Sequence, residues 1–356
     1  MLLDPINIKS SLYDYSVSFV SDFEETLKDF SDHTFFVIDK NVYELYRDKF
    51  SSVPTDLIYF MDPVESKKNM DSVMDIIYTY KKSGVKKNWK VVCFGGGITQ
   101  DVTTIASNLY LRNVDWYFFP TTLLSMCDSC IGGKCGINLG EFKNQLGVFY
   151  PPKKIFIDKR FIDTLSVGDY INGWGEILKF SLTNDPEFYD ELKNESSFVP
   201  NPRIDYYIHR GLLVKKSVIE EDEFDSDLRR VLNYGHTFGH ALEAYTHNEI
   251  PHGQGVIWGI DVVNFIAAKE GLISQEYYLE IKSLIKNAFF KDELEVDNPD
   301  KLFEIIKTDK KVKDNTLCFA MLDSESHLIV YPMKIDEKLK QYFSEYLKET
   351  HDYYCN

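Results

Sequence analysis

Nowhere in the 356-residue chain do about 20 consecutive apolar residues occur, so no ordinary membrane-spanning helix and no membrane partner are expected. The opening segment, MLLDPINIKS, lacks a basic stretch followed by an apolar one, so no secretory leader is expected. Positive charge is in short supply: 40 Lys and Arg stand against 56 Asp and Glu, a formal net charge of −16. Nucleic-acid binders need a basic field to neutralise phosphates, so no nucleic-acid partner is expected. Any phosphate site must be a local basic pocket in an acidic protein. Cysteine is sparse, with Cys93, Cys127, Cys130, Cys135, Cys318 and Cys355. Cys127 and Cys130 form a C-x-x-C, but no second pair stands at zinc-finger spacing. Reduced thiols in a cytoplasmic protein are the expectation. There is no internal repeat, low-complexity tract or long linker, so the two halves of the chain are expected to pack tightly.

What is present is ordinary for a soluble globular protein: 44% hydrophobic and 27% charged residues. At about 100–200 residues per domain, two domains are expected. HTFFVIDKNV and DLIYFMDPVE read as strands, and MDSVMDIIYTYKKSG as a helix with a glycine stop. WKVVCFGGG is an apolar strand ending in three glycines. DVTTIASNLYL reads as a helix, and DWYFFPTTLL as another strand. Strand and helix alternating in this way predict a parallel sheet covered by helices. From about Asp169 the pattern becomes amphipathic and helical: INGWGEILKFSLT, RIDYYIHRGLLVKKSVIEED, LRRVLNYGHTFGHALEAYT, GQGVIWGIDVVNFIAAKEG and YYLEIKSLIKNAFF. The expectation is therefore an α/β Rossmann-like domain over 1–168 and a mainly α-helical domain over 169–356.

Gly95, Gly96 and Gly97 follow a strand and precede a helix. Glycines there let the backbone approach a pyrophosphate, and a helix N-terminus favours anions. The run is not the G-x-G-x-x-G fingerprint, and a tight turn without a ligand would use the same residues. Thr121 and Thr122 follow the next strand, where they can donate hydroxyls or cap a helix. His236 and His240 stand at i, i+4 on one helix face, His252 follows in a Pro-His-Gly turn, and Glu176 sits in Gly-Trp-Gly-Glu. Imidazole nitrogen and carboxylate oxygen suit a divalent, zinc-like ion, and three protein ligands leave a position open for substrate. Spacing leaves open which three of the four would bind.

Taken together, several segments resemble 3-dehydroquinate synthase and its sugar-phosphate cyclase relatives. They are PVESKKNMDSV, FGGGITQD, YLRNV, PTTLLSMCDSCIGGKCGIN, FKNQLGVFYPP, FIDTL, GWGEILKF, LVKKSVIEEDEF and LRRVLNYGHTFGHALE, in fixed order from about Pro63 to His252. The resemblance implies an NAD-binding N-terminal domain, a helical metal- and substrate-binding domain, and an active site in the cleft between them. It implies metal binding by Glu176, His236 and His252, with zinc the leading ion and cobalt an alternative. NAD contacts fall on Asp39, Glu65, Lys68, Gly95, Gly96, Gly97, Asp101, Thr121, Thr122 and Thr164. Lys143 matches a position lying between cofactor and substrate. Substrate contacts fall on Asp128, Lys134, Asn144, Lys179, Lys215, Arg229, Asn233 and His240. Arg112 matches an arginine that reaches the substrate phosphate from a neighbouring subunit, which implies a homodimer.

The implied reaction is phosphate-eliminating cyclisation of a small sugar phosphate, with transient oxidation by NAD and an intramolecular aldol closure. The expected substrate is a heptulosonate 7-phosphate that yields 3-dehydroquinate. Alternatives are another sugar phosphate, such as a heptulose 7-phosphate or glucose 6-phosphate, and a metal-dependent NAD polyol dehydrogenase. Two departures from the family pattern bear on this choice. Gln100 stands where a glycine is usual and Thr104 where a later glycine is expected, so the cofactor turn is expected to differ in shape. After Asp309-Lys310-Lys311, the position of a family Lys or Arg falls on the neutral Cys318, with Lys313 close by.

Overall fold

The computed structural model describes residues 3–30, 32–183, 185–195, 197–247, 249–288, 296–307, 312 and 314–354. Asp309, Lys310, Lys311, Lys313 and Cys355 lie outside the described residues. In chain order the first elements are β1 (Ile6–Ile8), β2 (Tyr15–Phe19), α1 (Phe23–Leu27), β3 (Thr34–Asp39), α2 (Lys40–Leu45), β4 (Ile58–Met61), α3 (Met70–Lys82), β5 (Lys90–Gly95), α4 (Gly97–Leu109), β6 (Trp116–Pro120), β7 (Lys134–Leu139), β8 (Phe142–Phe149) and β9 (Lys154–Ile157). There follow α5 (Val167–Ser181), α6 (Pro186–Lys193), α7 (Ile204–Glu221), α8 (His236–Tyr245), α9 (His252–Lys269), α10 (Gln275–Ala288), α11 (Pro299–Lys307), β10 (Thr316–Leu322), β11 (Leu328–Lys334) and α12 (Glu337–Tyr354).

Two compact units result: Met1–Ser166 with Asp205–Phe224, and Val167–Ile204 with Asp225–Asn356. Nearly all of α7 thus groups with the first unit, whereas the sequence expectation placed it in the continuous block 169–356. The reason is visible in its side chains. Lys215 pairs with Asp128, Glu220 accepts from the Lys9 amide, and the Glu223 carboxylate just beyond α7 takes Ser10 and Ser11.

The first unit is built on a seven-stranded sheet in the order β1-β2-β9-β6-β5-β3-β4. All neighbours are parallel except β1 and β2. Every residue of β3 is buried and β5 is nearly so, as expected of parallel strands covered on both faces. Phe94, Phe119 and Phe156 from neighbouring strands stack at 4.2 and 4.8 Å between centroids. Each buried phenylalanine contributes about 1.5–3 kcal/mol relative to exposure. β4 joins one side of β3 and β5 the other, so the chain reverses direction across the sheet at β3 and β5. Such a switch point opens a crevice at the carboxyl ends of the strands. The β7–β8 hairpin was not anticipated, because β8 is mostly exposed and its polar run KNQ interrupts the apolar alternation of a half-buried strand.

The second unit is mainly helical, with one antiparallel pair, β10 and β11. Helix α9 is buried from Gly253 to Ala267, which is why its sequence reads apolar on every side. The segment LRRVLNYGHTFGHALEAYT, expected as one helix, is two: a 3₁₀ turn over Leu228–Asn233, then α8. Gly235, at φ +75°, makes the break. A side chain there would be strained, and its Cβ would lie 2.5 Å from the Val256 carbonyl oxygen. No helix among the described residues is long and apolar enough to cross a membrane.

Candidate active site

Within the second unit, close backbone packing gathers four of the expected side chains. A Cβ on Gly175 would collide with the Gly253 carbonyl, and one on Gly253 with that of Asn172. A Cβ on Gly239 would come within 2.7 Å of the Gly255 carbonyl oxygen. Glycine at these positions lets α5, α8 and α9 approach backbone to backbone. That approach brings Glu176, next to Gly175, against His252, next to Gly253, and against His236. Glu176 Oε1 lies 3.1 Å from His252 Nε2 and 3.5 Å from His236 Nε2. His236, His240 and His252 also present ring nitrogens within 4.8 Å of one another. Gly175→Val should therefore separate α5 from α9. Elemental analysis of the purified variant is expected to show metal content well below that of wild type, and wild-type content would contradict the packing account.

The electrostatics are those of a preformed cation site. Burial alone would raise the Glu176 carboxyl, but the buried Lys179 ammonium, then His252 and His236, hold it well below the usual carboxylate range. Burial, with Lys179, pushes His236 well down, so its imidazole is neutral and able to bind a metal. Burial opposes charge on His252 as well, yet hydrogen bonds to Glu176 and Glu243 raise it to about 10. The outer nitrogens are anchored. His236 Nδ1–H donates to the Tyr234 carbonyl at 3.0 Å, and His252 Nδ1–H to Glu243 at 2.8 Å. Such partners orient the rings. His236 presents a neutral Nε2, and on His252 an ion would displace the proton that Nε2 shares with Glu176. Glu243 was missed in the sequence, although it lies seven residues after His236 on the same helix face. Three imidazoles within reach of one another, with the Glu176 carboxylate against two of them, fit a zinc- or cobalt-like ion. Arg229 is buried in the 3₁₀ turn that leads into α8, and Asn233 ends that turn. Cys318 is exposed on β10.

Within the first unit, Asp39, Gly95, Thr121 and Thr122 stand at or just beyond the carboxyl ends of β3, β5 and β6, which are neighbours. Asp39 caps α2 through the Asn41 and Val42 amides, and its burial raises its carboxyl. Thr121 N–H donates to the Gly95 carbonyl at 3.0 Å. A Cβ on Gly96 would sit 3.0 Å from Thr122 Cγ2, while one on Gly97 would meet nothing within 4 Å. The first turn of α4, capped by Gly96 without a side chain, therefore faces open space suited to a diphosphate. Thr164 lies in a 3₁₀ turn whose Phe161 packs on Phe94, and its hydroxyl meets Tyr46.

A second group in this unit links α4 to the hairpin. Lys68 pairs with Asp101 at 2.8 Å and donates to Asn144 Oδ1 at 2.8 Å. Burial pushes the Asp101 carboxyl up against the pull of Lys68. Glu65 accepts from Asn138, whose own oxygen takes the Asn144 amide. Asn144 has φ +52°, a left-handed conformation that asparagine tolerates better than most residues. Lys134 and Lys143 are exposed on β7 and β8. Asp128 lies in a π-helical turn over Ser125–Ser129 and binds Lys215 twice, through Oδ1 at 3.0 Å and its carbonyl at 2.6 Å. Arg112 is exposed in the loop after α4, in a run of three left-handed residues with Leu111 and Asn113.

Comparison with known proteins agrees with this geometry. Residues 58–172 match the family model for the 3-dehydroquinate synthase N-terminal domain, and residues 173–312 that for its C-terminal domain. The 3-dehydroquinate synthase of Dictyoglomus turgidum is 35% identical over 275 residues, covering 75% of this chain and 76% of its own. That of Alkaliphilus metalliredigens is 31% identical over 299 residues, covering 82% and 84%. Among solved structures, 2-epi-5-epi-valiolone synthase from Streptomyces hygroscopicus subsp. jinggangensis, with NAD+ and Zn2+ bound, has TM-score 0.83 at 23% identity, covering 94% of this chain and 97% of that one. A 2-deoxy-scyllo-inosose synthase complexed with carbaglucose-6-phosphate, NAD+ and Co2+ has TM-score 0.85 at 22% identity, covering 96% and 100%. A protein described as a probable glycerol dehydrogenase from Sinorhizobium meliloti is more distant, at TM-score 0.65 and 11% identity over 94% and 96%. The fold, the two matched domain models and the sequence identity together place this chain in the 3-dehydroquinate synthase family.

Proposed function

We propose that the protein is an NAD- and metal-dependent sugar-phosphate cyclase that closes a carbocycle with loss of inorganic phosphate. The observation that carries this reading is the Glu176, His236 and His252 cluster, preformed in a chain that also has a glycine-lined helix start at the sheet's switch point. When bound, NAD accepts and returns one hydride, and a divalent ion polarises the substrate hydroxyl at that carbon. Glu176, His236 and His252 would hold the ion. His240, which is exposed and stands one turn along α8, is left for substrate. Asp39, Glu65, Lys68, Gly95, Gly96, Gly97, Asp101, Thr121, Thr122 and Thr164 would hold NAD, with Lys143 between it and the substrate.

Lys134, Asn144 and His240 would hold the phosphate, aided by Arg112 of a second copy. Asp128, Lys179, Lys215 and Asn233 would orient hydroxyls, and orientation of this kind is worth about 7–11 kcal/mol at best. The exposed Leu109 and Leu111 beside Arg112 support a homodimer through this loop. Sedimentation should show a dimer. Arg112→Ala subunits mixed with His252→Ala subunits should regain activity in mixed dimers, whereas a fully active monomer would contradict the shared site.

The substrate divides into two readings. The buried Arg229 guanidinium offers a bidentate fork for a carboxylate, which favours a heptulosonate 7-phosphate and the product 3-dehydroquinate. The neutral Cys318 favours a substrate without that carboxylate, a heptulose 7-phosphate or glucose 6-phosphate. Phosphate release by the metal-loaded protein with NAD, measured across these three, tests the choice. Release from the heptulosonate alone supports the first reading, and release from a neutral sugar phosphate alone supports the second.

A further inference from the structure

Gln100 is buried in the first turn of α4, and its amide does not face the glycine turn. Its Nε2 donates to the Ser129 carbonyl at 2.7 Å, and the Ser129 hydroxyl donates to its Oε1 at 2.6 Å. This reciprocal pair fixes the last residue of the π-helical turn. That turn carries Asp128, whose carboxylate and carbonyl both receive the Lys215 ammonium. A π-helical turn is rare and frequently found at functional sites. The segment begins at Thr122, whose hydroxyl and carbonyl bond Ser125 Oγ, and its far end is tied by Gln100. Successive residues on a helix point about 100° apart. Gln100 therefore reaches the Asp128 turn while its neighbour Asp101 reaches Lys68 and, through it, Asn144. The backbone of Gln100 is held separately, by Thr104 Oγ1 donating to its carbonyl at 2.8 Å.

We propose that Gln100 is a positioning residue: through Ser129 it sets the Asp128–Lys215 pair that orients the sugar hydroxyls. This rests on the cyclase reading above. Gln100→Ala removes both bonds, whereas Ser129→Ala removes only the one its hydroxyl donates, because the Ser129 carbonyl belongs to the backbone. Gln100→Ala is expected to raise the KM for the sugar phosphate about tenfold, the effect of two ordinary buried hydrogen bonds, and Ser129→Ala about threefold, the effect of one. The Kd for NAD should stay within about twofold, because the glycine turn is not touched. The double variant should be no worse than Gln100→Ala, which already removes both bonds. Thr104→Val is the structural control: it removes a bond to the same residue, and should lower stability without moving the substrate KM. Gln100→Glu keeps the volume but sets an oxygen against the Ser129 carbonyl, so it should behave as Gln100→Ala does.

An arm free of turnover separates this idea from the cyclase reading. In the NAD-bound protein, Lys215 should react with an amine-labelling reagent faster in Gln100→Ala than in wild type. Amide exchange over 126–131 should accelerate with it. If the wild type releases no phosphate from any sugar phosphate, the cyclase reading fails, while labelling and exchange still decide whether Gln100 holds the pair. Unchanged Lys215 labelling, or equal changes in substrate KM and NAD affinity, overturns the positioning role.

Discussion

His252→Ala should leave a folded protein that has lost both its metal and its turnover. Among the described residues, His252 is bonded to two carboxylates at once, Glu176 through Nε2 and Glu243 through Nδ1. Removing it deletes a proposed ligand and breaks the chain that links Glu176 to Glu243. Loss of a supporting partner alone, as in Glu243→Ala, should weaken metal binding by about 10–100-fold. His252→Ala should exceed that. Metal content after dialysis, measured beside phosphate release, checks both variants. A His252→Ala protein with full metal and full activity would move the ion to another set, and the remaining cluster offers His236 with His240.

The second large effect concerns Lys179. Its ammonium and the Glu176 carboxylate form an ion pair that is almost wholly buried. Breaking a buried pair by removing one partner typically costs about 3–5 kcal/mol, and here Glu176 would keep only His252 as a cationic partner. Lys179→Ala should therefore melt lower in chelator by about 6–20 °C, at about 2–4 °C per kcal/mol for a unit of this size. A divalent ion bound beside Glu176 supplies the missing positive charge, so zinc should restore much of that loss. Turnover should not return, because Lys179 is also proposed to orient a hydroxyl. Equal melting of the variant with and without metal would show that the ion does not sit on Glu176.

Much of the sheet was legible because its strands are continuous apolar runs. TFFVID and KVVCFG are buried on both faces and bounded by turn residues, and they appear as β3 and β5. The β7–β8 hairpin was not, because KNQ in β8 faces outward and carries no period-2 apolar signal. The helix expected over 228–246 failed at Gly235, where a left-handed residue and the approach of α9 outweigh an unbroken apolar spacing. At the site, i, i+4 spacing placed His236 and His240 on one helix face. Their meeting with Glu176 and His252 depends on glycine contacts between helices far apart in the chain, which no local pattern reveals. Gln100 was legible as a departure from the family glycine, but its pairing with Ser129, 29 residues on, was not, because no local pattern carries it.

Phosphate and NADH followed together, in one reaction of the metal-loaded protein with NAD and its sugar phosphate, test the central claim most directly. A cyclase returns the hydride it takes, so phosphate should appear mole for mole with substrate consumed while NADH stays at the level of bound cofactor. NADH accumulating with substrate consumption, and no phosphate, would instead make the protein a polyol dehydrogenase.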